Sequence, residues 1–68
     1  MDLTLLAKDQ NSGRDACPSV YLAENGKLVI QGNLLDAATR ANLLNFLAGE
    51  GAVTIDVSIV RAALTQLV

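Results

Sequence analysis

The sequence predicts a small α+β domain, a sheet built on a β-hairpin plus additional strands and packed by two helices, in the order β-β-β-α-β-α. Three observations carry this. The dipeptide Asn25-Gly26 stands between two short apolar runs, SVYLA and KLVIQ. The stretch GNLLDAATRANLLNFLAGEG repeats its apolar residues at helical spacing between the punctuation of Asp36 and Gly49. A second run with helical periodicity closes the sequence after the strand-like AVTID.

Taken in order, LTLLAK (residues 3–8) alternates as a strand, with Leu3, Leu5 and Ala7 on a mainly buried face and Thr4, Leu6 and Lys8 on the other. DQNSGRD (residues 9–15) is a solvated loop, since Asp, Asn, Ser and Gly favour turns through local hydrogen bonds and tolerance of positive φ. In the hairpin, Asn25 and Gly26 suit the two positive-φ positions of a type I′ turn. Val20 and Leu22 share one face of their strand and Leu28 and Ile30 one face of theirs, with Tyr21, Ala23 and Val29 on the opposite sides. Both faces are apolar, which allows cover on both sides of the sheet.

The first helix is expected over residues 36–49, with Asp36 (or Asn33) at its start and Gly49 ending it in a left-handed conformation. At 100° per residue, Ala37, Ala41, Leu43, Leu44, Leu47 and Ala48 form one broad stripe, opposite Thr39, Asn42 and Asn45. Val53 and Ile55 then alternate in a short strand. Asp56 or Ser58 caps a closing helix whose inward face is expected to be Val57, Val60, Ala63, Leu64 and Leu67, with Ile59 at the boundary.

At 68 residues the chain is a single domain, residues 1–68, and domains of this size bury only about 60% of the surface of their unfolded chain. With 51% hydrophobic and 18% charged residues, it holds more apolar groups than so small an interior accommodates. Some are expected at the surface, against a partner. The net charge is −2 and the five basic residues are scattered singly, with Tyr21 and Phe46 the only aromatics. Direct nucleic-acid binding, which needs clustered positive charge and stacking rings, is not expected. Charged residues interrupt every apolar run, so no membrane span is expected, and Met1-Asp2 lacks the positive start of a secretory signal. A cytoplasmic location follows as the expectation.

The chain has no histidine and one cysteine, so neither an internal disulfide nor a zinc set is available and no metal or cofactor is expected. Cysteine or serine nucleophiles also lack their usual base, and the carboxylates are spread over turns and caps. No catalytic residues are assigned. Cys17 reads either as a small hydrophobe held by Pro18 at the start of a strand, or as the thiol of a redox or small-ligand site formed by residues 11–17.

SGRDACPSVYLAENGKLVIQG followed by LLNFLAG resembles the BldB-like family of short actinobacterial proteins. Lys8, Ser12, Gly13, Cys17, Val20, Val29, Phe46 and Leu47 carry the resemblance, over roughly the middle two thirds of the chain. The sequence departs from the family's pattern at Gln31, Gly32 and Asn33 and has no tryptophan before Phe46-Leu47. The resemblance implies a cytoplasmic accessory protein that self-associates and works beside a helix-turn-helix transcriptional regulator.

The expectation is therefore a regulatory protein-interaction module, a homodimer, without enzymatic activity. Its contact residues are expected at Tyr21, Ile59, Leu67 and Val68, with Arg61 on the rim.

Overall fold

A three-stranded antiparallel sheet in spatial order β1-β2-β3 organises the chain, β1 being Leu3–Lys8, β2 Ser19–Ala23 and β3 Leu28–Gln31. The computed structural model describes residues 1–10 and 17–67. Val20 on β2 stands opposite Ala7 on β1 and Ile30 on β3. Paired residues point to the same face, so the three form one apolar row across the sheet. The helix α2, Val57–Thr65, covers this row and buries Ile59 and Ala63 against Val20, with Leu6, Ala7, Ile30 and Ile55 packed around them. This is the core. The α+β class read from the sequence is the class of the structure.

The pairing of β1 with β2 shifts register between Leu5 and Ala7, where Leu6 is an extra residue. A bulge of this kind reverses the alternation of everything before it. Leu6 and Ala7 are therefore half-buried against the core while Leu3 and Leu5 are exposed, which corrects the expected buried face of Leu3, Leu5 and Ala7.

The hairpin forms where Asn25-Gly26 placed it, with a different turn. Ala23 N–H donates to Lys27 O (2.8 Å) and Gly26 N–H to Ala23 O (3.0 Å), which leaves a three-residue loop. Gly26 has φ 85° whereas Asn25 keeps a negative φ, so the turn is not type I′. The left-handed glycine forms the bulge that matches a three-residue loop to the strand twist. Asn25 Oδ1 accepts from Lys27 N–H at 3.0 Å.

After Gly32 the chain leaves the sheet. Asn33–Leu34 forms β4, which pairs with β5, Val53–Thr54, in a second two-stranded sheet. Between them lies α1, only Ala37–Arg40, capped by Asp36, whose Oδ1 accepts from Thr39 N–H at 2.7 Å. The expected helix over 36–49 stops early. Asn42 and Leu43 N–H bond to carbonyls three residues back, Asn45 turns to φ 55°, and Gly49, at φ 89°, is the third residue of a turn in which Glu50 N–H donates to Leu47 O. Every residue from 36 to 51 is exposed, and so short a helix with no surface to pack on is marginal in water.

The face of α2 also differs from the expected one. Asp56 caps it, accepting from Ser58 N–H at 2.9 Å, but Ile59, Val60 and Ala63 turn inward while Val57, Leu64 and Leu67 are exposed. The β-branched Ile59 fills the space over Val20, and the small Ala63 one turn later lets the helix approach the sheet.

Candidate interaction surface

Among the described residues there is no cluster of three or more His, Cys, Asp or Glu side chains able to hold a metal ion. Every buried side-chain nitrogen or oxygen among them has a hydrogen-bond partner. The groups the sequence singles out lie apart. Cys17 is half-buried beside Pro18, and its carbonyl oxygen accepts from the buried Ser19 hydroxyl at 2.6 Å. The rest of the loop proposed as its site, residues 11–16, lies outside the described residues.

Of the expected contact residues, Tyr21 is half-buried on the sheet face away from α2, opposite Leu5 on β1 and Val29 on β3, and its hydroxyl donates to Gln31 Oε1 at 2.9 Å. Arg61 is exposed on α2, and Leu67 is exposed two residues beyond its end. Ile59 does not belong with them. It is 6% exposed and sits in the core, so it is not available to a partner. Val68 lies outside the described residues.

The most apolar exposed region is the arm formed by residues 33–54. Leu44 is 92% and Leu34 80% exposed, and Leu43, Phe46 and Leu47 are exposed with them. The sequence had assigned Leu43, Leu44 and Leu47 to a helix face packed on the sheet. LLNFL was therefore the signal, read as core because a helical stripe most often is. Val57 and Leu64 on α2 and Leu3 and Leu5 on β1 add smaller exposed apolar groups.

Soluble monomers seldom expose contiguous apolar patches beyond a few hundred Å². Exposed apolar side chains such as Leu34, Leu44 and Leu47 gain free energy when they are buried against another apolar surface.

Among the described residues, the carboxyls of Asp36 and Asp56 are held below the ordinary Asp range. For Asp36 the hydrogen bonds with the Thr39 side chain and then its backbone are the cause, and for Asp56 the backbone and then the side chain of Ser58. Both are helix caps and neither stands beside a chemical partner. No helix of the described residues is long and apolar enough to cross a membrane. No family pattern, curated protein or solved structure matches the chain.

Proposed function

We propose that the chain is a dimeric protein-interaction module, an accessory partner of a helix-turn-helix transcriptional regulator that acts by binding rather than by catalysis. The observation that supports the interaction reading is the exposed apolar arm, with Leu44 and Leu34 almost wholly in water. The choice of partner rests on the resemblance to the BldB-like family and on the net charge of −2, which suits contact with a basic DNA-binding protein better than contact with DNA itself. In this reading the protein acts in the cytoplasm, beside the DNA its partner occupies.

The test is a mobility-shift titration. The purified chain is added to a regulator encoded near it, bound to its operator. A retarded or dissolved complex at stoichiometric protein supports the regulatory reading, and an unchanged complex in large excess overturns it.

A further inference from the structure

We propose that Asn25 is a site of spontaneous deamidation, at which the chain loses ammonia and converts the β2–β3 turn into an isoaspartyl linkage that loosens the hairpin. This chemistry does not depend on what the chain binds.

Deamidation needs an asparagine whose side-chain amide carbon can be reached by the next backbone nitrogen, with no side chain on that next residue to crowd the approach. Of the five asparagines, Asn11, Asn33, Asn42 and Asn45 are followed by Ser, Leu, Leu and Phe, and Asn25 alone by glycine. A Cβ on Gly26 would meet nothing within 4 Å, so no other part of the chain crowds the turn there. Every residue from Glu24 to Leu28 is exposed, which gives water access to it. The Asn25 side chain is bent over the Gly26 peptide, because its Oδ1 accepts from Lys27 N–H at 3.0 Å. The ring closed by that bond contains Cγ, Cβ, Cα and the carbonyl carbon of Asn25 and the nitrogen of Gly26, the same five atoms that close a succinimide. The Lys27 N–H also polarises the amide carbonyl and stands ready for the oxyanion that attack creates on Oδ1. Gly26 N–H donates to Ala23 O at 3.0 Å, and this bond must open before the nitrogen attacks; a solvated turn bond opens at low cost.

Gly26 N, its proton taken by hydroxide, bonds to Asn25 Cγ. The Cγ–Nδ2 bond breaks, and Nδ2 leaves as ammonia with a proton from water. Water then opens the succinimide at one of its two carbonyls. Opening at Cγ gives aspartate on the original main chain. Opening at the main-chain carbonyl leaves the backbone running through Cβ and Cγ, one carbon longer, with the carboxylate on Cα. The added carbon lies inside the three-residue loop closed by Ala23 N–H and Lys27 O, so it disturbs the register of β2 with β3, whose Val20 and Ile30 both serve the core.

The experiment ages the whole chain at physiological temperature over a series of pH values. Ion exchange separates the products, and fragment mass spectra distinguish aspartate from isoaspartate. Asn25 should convert several-fold faster than any other asparagine, at a rate that rises in proportion to hydroxide. Gly26→Ala should slow conversion several-fold by crowding the nitrogen, even though it weakens the turn; were turn opening alone decisive, it would speed it. The isoaspartyl fraction should melt below the fresh chain, whereas freshly prepared Asn25→Asp should melt close to it, since Asp keeps an oxygen for Lys27 N–H. Another asparagine converting as fast as Asn25, or a Gly26→Ala chain converting as fast as the parent, overturns the site. An isoaspartyl fraction that melts with the fresh chain overturns the effect on the hairpin.

Discussion

Gly32 passes so close to Thr54 that a methyl group on its α-carbon would overlap the Thr54 carbonyl oxygen. This contact lies where β3 hands over to β4, so it fixes the departure of the arm from the main sheet. Gly32 has no positive φ to relieve, and the obstacle is backbone, which cannot swing away. Gly32→Ala is therefore expected to cost about 1–3 kcal/mol through overpacking. Thermal melts compared with the parent chain check it. An unchanged midpoint would mean that the junction yields.

Gly26 makes the complementary case. Its surroundings are open, but its φ is 85°. Gly26→Ala should thus cost about 1–2 kcal/mol from backbone conformation alone, and Gly26→Asn less, because Asn tolerates the left-handed region. Denaturant midpoints of the two variants separate strain from crowding.

Ile59 tests where the core lies. Val20 has no exposed surface and Ile59 rests on it, so Ile59→Ala should remove about 2–5 kcal/mol. A domain of this size has a total stability of only about 3–10 kcal/mol, so the loss is a large share of it. Leu67→Ala, at an exposed position two residues beyond the end of α2, should change the midpoint little. Equal effects of the two would show that α2 turns another face to the sheet.

Acid should loosen both helix starts. The carboxyls of Asp36 and Asp56 sit below the ordinary Asp range when folded, because each accepts hydrogen bonds at its cap. Their contribution is complete above the unfolded value, about 3.9, and is lost as pH falls through the lower folded value. Stability should therefore be flat with respect to these groups from neutrality to about pH 4 and decline below. Asp56→Asn keeps the cap without the charge, and should flatten part of that decline in melts recorded across the acid range.

Ser19 is buried with its hydroxyl on the Cys17 carbonyl, so Ser19→Ala should cost about 1 kcal/mol. A larger loss for Cys17→Ser than for Ser19→Ala would place more weight on the thiol than on that hydrogen bond. Chemical denaturation of the two variants makes the comparison.

The hairpin, both caps and the strand-like character of residues 3–8 could be read from the sequence because each rests on residues close together. Asn25-Gly26 marks the turn, and Asp36 and Asp56 stand just before helical periodicity begins. The bulge at Leu6 could not, since any of several adjacent apolar residues in LTLLAK could supply the extra one. The rotation of α2 depends on which of Val57 or Ile59 fits over Val20, a question of volume across the core and not of spacing. The arm shows the sharpest difference, because Leu43, Leu44 and Leu47 obey helical spacing faithfully. Periodicity reveals that a face wants burial and leaves open what is there to bury it. Of the contact residues, Arg61 was accessible to pattern reading as the outer side of a helix, whereas Leu67 was read with the apolar face and is exposed beyond the helix end, and Ile59 changed place with the rotation.

The core joins β1 to α2 across nearly the whole sequence, and this topology has a kinetic consequence. The β2–β3 hairpin needs only a three-residue loop and can form on the scale of about 1–10 μs. The docking of α2 onto β1 and β2 must wait for a long loop to close, with the arm inside it. The arm thus lengthens the search for a contact it does not share. Replacing residues 33–54 by a short linker should speed refolding in stopped-flow experiments, while single substitutions within the arm leave the rate unchanged.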